Sequence, residues 1–143
     1  MSRILIMTKS SNKTVYTYAI GRRKAAVSSV KLFAGKGDST VNGLEISKYF
    51  PSDHLKKLYL EPFAVTGTDN KYYFQTKIVG GGKNGQLDSL RLAISRALQK
   101  IDATAYLSLL RNAGLLTVDS RVRQRRMVGT GGKSRRQKQS PKR

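Results

Sequence analysis

The chain has no cysteine, one histidine and only eight acidic residues in 143. Without cysteine there is no disulfide framework, no thiolate zinc site and no thiol chemistry. The lone histidine, His54, leaves little for imidazole catalysis or metal binding and reads as a surface helix residue. The apolar run near the start, Ile4 to Met7, is four residues long. That is too short for a signal peptide or a membrane span, so a soluble cytoplasmic protein without membrane contact is expected. The eight acids stand singly, so no close carboxylate pair offers general acid–base work. No cofactor, metal or small-molecule substrate is implied.

What is abundant is positive charge. Twenty-eight Lys and Arg bring the formal net charge to +20, a field that draws polyanions over long range. The distribution is more informative than the total. Residues 1–37 carry eight basic and no acidic residues, residues 38–119 have a net charge of +2, and residues 120–143 carry ten basic and no acidic residues. A nearly neutral centre thus has two basic ends. Arg-rich ends favour phosphate, because a guanidinium fork matches two oxygens at once.

The length suits one domain with a real core. Residues 1–13 read as a flexible basic extension, 14–118 as a globular domain and 119–143 as an extended arm that cannot offset its own ordering entropy. From Thr14 to Ala34 the text is strand-like, interrupted at Gly21-Arg22-Arg23-Lys24. Two turn signals around a short return strand at Thr40 to Asn42 then predict a hairpin. Leu44–Phe50 and Ser52–Leu60 read as short helical pieces, the second capped by Ser52 with Leu55, Leu58 and Tyr59 on one face. Glu61–Gly67 and Lys71–Val79 read as paired strands around TGTDN, with Tyr72, Phe74, Thr76 and Ile78 on one side. The strongest helix follows: Leu87, Leu90, Ile94, Ala97, Leu98 and Ile101 form a stripe, with Arg96 and Lys100 opposite. Asp102 caps a further helix that Gly114 closes. One sheet covered by helices, a two-layer α/β (α+β) sandwich, accommodates these elements.

Two glycine stretches invite a phosphate reading. Gly80-Gly81-Gly82-Lys83, between a strand and a helix, fits either a phosphate cradle or a permissive turn. GTGGKS, at 129–134, resembles the end of a nucleotide-triphosphate loop, but the first glycine of that pattern falls on Met127 and no apolar residue follows to dock a helix. A phosphate-handling enzyme is therefore the alternative to a nucleic-acid binder. Four basic clusters favour the binder: Arg22-Arg23-Lys24; Arg121, Arg123, Arg125 and Arg126; Lys133, Arg135, Arg136 and Lys138; and Lys142-Arg143. No base-reading signature accompanies them, so recognition through phosphates and shape, as in structured RNA, is expected.

GRRKAAVSSVKLFAGKGDSTVNG, then EPF, then KIVGGGKNGQLDSLRLAISRAL, then LRNAGLLTVDSRVRQRR and a terminal KR together resemble the ninth protein of the small ribosomal subunit in its bacterial form. The resemblance runs from Tyr18 to Arg143. It implies a two-layer domain with a left-handed crossover, like the second domain of the fifth small-subunit protein (S5 domain 2-like). It also implies a non-enzymatic role on small-subunit ribosomal RNA in the head, beside neighbouring head proteins. The arm would reach the anticodon stem of peptidyl-site transfer RNA through Lys142 and Arg143. Gly21 to Lys24, Gly80 to Lys83 and Arg121 to Arg126 match the family's RNA-facing segments. Ser140 and Pro141 stand where the family usually has an aromatic residue and a serine, and Gly129, Gly131 and Gly132 depart from its usual arm.

Overall fold

The strand-like text from Thr14 to Ala34 folds as one antiparallel hairpin. A computed structural model describes residues 15–129, 131 and 132. Strands β1 (Tyr16–Arg23) and β2 (Ala26–Ala34) pair from Tyr16↔Phe33 to Arg23↔Ala26. Gly21, Arg22 and Arg23 belong to β1, so the expected break narrows to the turn at Lys24-Ala25, where Lys24 takes a φ of 52°.

The expected hairpin with Thr40–Asn42 does not form. Strand β3 (Thr40–Val41) pairs antiparallel with β4 (Leu44–Glu45) through the Asn42-Gly43 turn, both of whose residues have positive φ. That is the backbone an Asn-Gly two-residue turn prefers. The free side of β2 is instead taken by β5 (Tyr72–Val79), and β3 runs parallel to β5 on its far side. The sheet order is β1-β2-β5-β3-β4. Beyond β3, the Asn42 side chain continues the ladder, accepting from the Ile78 N–H at 2.8 Å and donating to its carbonyl at 3.0 Å.

Helix α1 (Ile46–Tyr49) is shorter than expected because Leu44 and Glu45 are in β4. Helix α2 (Asp53–Thr66) is longer: Glu61–Thr66, expected as a strand, is helical and includes Pro62. Tertiary packing overrides the strand propensity of this stretch. Tyr59, Pro62 and Phe63 fall on one buried helical face, and Phe63 stacks on Phe74 with ring centroids 6.2 Å apart. Gly67 closes α2 in the left-handed region, so TGTDN joins a helix to β5. Ser52 is at the N-cap, but its side chain makes no capping bond; its carbonyl accepts the Lys56 N–H at 3.0 Å. His54 is exposed in the first turn, as expected.

Helix α3 (Lys83–Ile101) lies across β1 and β2. Its expected stripe is buried from Leu87 to Leu98, while Ile101 at the end is exposed. A fully buried leucine contributes roughly 1.5–3 kcal/mol, and Leu90 and Leu98 are both fully buried. Helix α4 (Ala103–Asn112) starts where the Asp102 carboxylate accepts the Ala105 N–H at 3.0 Å. It closes at Gly114, with the Leu115 N–H on the Leu110 carbonyl at 2.9 Å.

The helices cover one side of the sheet. Ala19, Val30, Leu32, Phe74 and Ile78 point into the core on that side. The intervening positions of β1, β2 and β5 face away from the helices, and most are exposed. Residues 1–13, expected as an extension, lie outside the described residues, as do Lys133 to Arg143 of the arm.

Candidate nucleic-acid interface

Three sequence segments singled out for phosphate meet at one end of this domain. The β1–β2 turn at Lys24-Ala25 lies against the glycine run after β5, which leads directly into α3. Arg23, Lys24, Ala25, Gly81, Gly82, Lys83 and Asn84 line a shared cleft of about 500 Å³. The glycines are required for the approach. Gly80 and Gly81 have φ of 74° and 67°, a Cβ at Gly80 would collide with the Ala25 carbonyl oxygen, and one at Gly81 would lie 2.8 Å from the Ala26 Cβ. Gly82 has no such neighbour and serves as the N-cap of α3 without any side-chain cap. The first N–H groups of a helix are positive and unpaired, so this end favours anions.

Lys83 belongs to the first turn of α3 rather than to the loop. Its ammonium sits 3.7 Å from the Tyr49 ring centroid and donates to the Tyr49 carbonyl at 3.3 Å. It therefore ties α3 to α1 while keeping its charge beside the cleft.

Arg23 is the junction with the C-terminal segment, and only 13% of its side chain is exposed. Its Nη2 lies 3.0 Å from Asp119 Oδ2 and its Nε lies 3.5 Å from Asp88 Oδ2. Its Nη1 donates to the carbonyls of Arg121 at 2.8 Å and Asp119 at 3.3 Å. Arg22, its neighbour on the other side of the strand, is exposed. Arg121 folds back on Asp119 with Nε at 3.0 Å and Nη2 at 2.7 Å, although 87% of its side chain remains exposed. Beyond this clasp, Arg123, Arg125 and Arg126 are exposed and have no hydrogen bond or ion pair to the described residues.

The clasp holds the Asp119 carboxyl well below the usual carboxylate range. The Arg121 side-chain hydrogen bonds contribute most and the Arg121 backbone N–H next, with the Arg121 and Arg23 charges adding to them. A depressed native pKa stabilises the bound state fully above the unfolded value of about 3.9, and that contribution declines as pH falls below it. Anchoring of residues 117–121 should therefore be independent of pH from 8 to 5. Asp119→Asn should release the segment at neutral pH, seen as faster amide exchange from Leu115 to Val122 than in the parent chain. Equal protection in both would remove the clasp from the account.

Sequence reasoning missed the structural duties of Arg23 and Lys83, because the acids and rings that hold them are remote in sequence. It also placed Arg96 and Lys100 simply opposite the apolar stripe. They in fact reach the outer edge of β1, donating to the Ile20 carbonyl at 2.8 Å and the Tyr18 carbonyl at 2.7 Å. Edge carbonyls covered by cations are poor templates for another strand. Among the described residues no cluster of His, Cys, Asp or Glu could hold a metal, and no helix is long and apolar enough to cross a membrane.

One helix-covered mixed sheet, a glycine-lined cleft at a helix start, and an adjacent segment of exposed arginines define a basic α+β domain with cations gathered at one end. The family model described as ribosomal protein S9/S16 matches residues 21–143, and the chain belongs to that family. It is 40% identical over 111 residues to the small ribosomal subunit protein uS9 of Cutibacterium acnes, an alignment covering 78% of this chain and 64% of that protein. It is 43% identical over 111 residues to that of Leifsonia xyli subsp. xyli, covering 78% and 66%, and 40% identical over 116 residues to that of an Arthrobacter species, covering 81% and 69%. The chain thus spans about two thirds of the length of these relatives.

Proposed function

We propose that the protein is a structural constituent of the small ribosomal subunit that binds small-subunit ribosomal RNA and makes or breaks no covalent bond. The observation that carries this reading is the convergence of Lys24, the Gly80–Lys83 turn and the root of a basic segment at one end of a domain of this family. RNA phosphates would meet the α3 N-terminus and the exposed Arg22, Arg123, Arg125 and Arg126. Lys133, Arg135, Arg136 and Lys138 would extend that contact along the arm. Arg23 and Arg121 would root the arm, and Lys83 would contribute charge from its seat on Tyr49. The fold would follow the second domain of the fifth small-subunit protein, including its crossover, and neighbouring head proteins would complete the setting.

Fifteen residues from Gly129, if extended, span at most about 50 Å, enough to leave the domain and cross an RNA helix. Lys142 and Arg143 would then lie beside the anticodon stem of peptidyl-site transfer RNA and act by electrostatic positioning.

Co-sedimentation of the full chain with small subunits in high salt tests the ribosomal reading; recovery only in the free fraction would refute it. Deleting Lys142 and Arg143 should leave folding and incorporation intact while weakening transfer RNA binding in the peptidyl site several-fold. Filter binding of transfer RNA to reconstituted subunits measures this, and unchanged retention would leave the arm without that role.

A further inference from the structure

The side of the sheet that none of the described helices covers carries its own chemistry. Its first row, Tyr16, Phe33 and Tyr73 in register, forms a continuous aromatic ledge with ring centroids 5.6 and 5.0 Å apart. Phe33 is only 7% exposed although it lies outside the main core, because its two tyrosine neighbours cover it. Tyr16 and Tyr18 remain 46% and 44% exposed. Next to them the sheet forms a groove of about 910 Å³ lined by Tyr18, Ser29, Lys31, Asn42, Gln75 and Lys77. The Lys31 ammonium stands 5.1 Å from the Tyr16 ring centroid. No outward position of β1, β2 or β5 is acidic. Arg96 and Lys100 add two further cations at the β1 edge, where they also close it to strand addition.

We propose that this uncovered face is a second RNA-contact surface, holding an unpaired stretch of RNA with bases stacked on Tyr18 and Tyr16 and phosphates on Lys31 and Lys77. The inference rests on the RNA-binding reading above and concerns a surface that the arm and the glycine cleft do not include. Exposed aromatic rings interleaved with cations on an open sheet suit single strands, because every base has a π-face and every linkage a charge. An apolar protein partner fits less well: Ser29, Lys31, Gln75 and Lys77 interrupt the middle of the face with polar groups. A basic partner would meet like charge.

The test uses the full chain with small-subunit ribosomal RNA and with single-stranded oligouridylate of about 12 nucleotides. Tyr18→Leu should weaken oligouridylate binding about tenfold and reduce the quenching of tyrosine emission, and Tyr18→Phe should restore affinity. Lys31→Gln with Lys77→Gln should lower the magnitude of the salt slope by about 1.4, at 0.7 per single-strand phosphate contact. These positions are exposed, and an unchanged thermal midpoint confirms that each variant is folded. If the parent chain binds ribosomal RNA but these variants match it on both probes, the face is not an RNA surface, while the broader RNA reading stands. If the parent chain binds neither probe, both fall. Crosslinks from this face to a protein, or to residues 1–14 of the chain itself, with tyrosine emission unaffected by oligouridylate, would also overturn the proposal.

Discussion

Gly21→Ala is expected to lower the thermal midpoint by about 10 °C. A Cβ at this position would lie 2.6 Å from the Ala93 backbone nitrogen and closer still to the Ser89 carbonyl oxygen. Both obstacles are backbone atoms of α3, so no side-chain rotation relieves the clash; strand and helix must separate. Overpacking of this kind costs about 3 kcal/mol or more, which for a domain of this size corresponds to roughly 10 °C. The consequence reaches the candidate interface, because the contact between β1 and α3 brings Arg23 to Asp88. Gly82→Ala is the matched control, since nothing lies within 4 Å of its Cβ position and its φ is −101°. Circular dichroism melts of both variants decide the matter. A Gly21→Ala chain melting within about 2 °C of the parent would mean that the helix seats more loosely than the geometry requires.

Legibility from sequence followed the range of the interactions. The α3 stripe was readable because Leu87, Leu90, Ile94 and Leu98 repeat at helical spacing, and β5 because Phe74, Thr76 and Ile78 alternate. Asp102 and Gly114 marked their helix ends because capping chemistry is local. Glu61–Thr66 misled because Pro62 and the β-branched Val65 and Thr66 argue against a helix, and only burial beside Phe74 reverses that preference. The partner of β3 was invisible for a similar reason: Asn42-Gly43 specifies a turn but not which strand lies alongside. Basic clusters were plain in composition. Which cations are free and which are committed was not, because that depends on acids brought from elsewhere in the chain.

That division of labour among the cations matters for function. Arg23 has carboxylates from α3 and the C-terminal segment around it, Arg91 pairs with Glu61 at 2.6 Å, and Arg121 is folded onto Asp119. Glu61, Asp88, Asp119 and the helix-capping Asp102 thus have jobs holding the chain together. Among the described residues, exposed positive charge is left at Arg123, Arg125 and Arg126, at the turn at Lys24 and on the uncovered sheet side, as well as on scattered lysines such as Lys56 and Lys57. A protein that holds its fold with a few arginines can leave the others available for phosphate.

Neutralising Arg123, Arg125 and Arg126 together should therefore weaken binding to small-subunit ribosomal RNA far more than neutralising Arg23. Each lost contact to duplex phosphate removes about 0.9 from the salt slope, so the triple glutamine variant should lose about 2.7 and bind on the order of a hundredfold more weakly near physiological salt. Its melting temperature should not change, because these side chains are exposed and make no hydrogen bond or ion pair with the described residues. Arg23→Gln should show the opposite pattern. Its charge is already matched by Asp88 and Asp119, so the slope should stay near the parental value, while the melt shifts downward and residues 117–121 lose amide protection. Measuring affinity across a salt series for both variants, alongside their melts, separates anchoring from folding. If Arg23→Gln reduces the slope by a full contact while leaving the melt intact, its guanidinium must leave both carboxylates to grip phosphate. Assembly on RNA would then begin by opening the clasp that roots the arm.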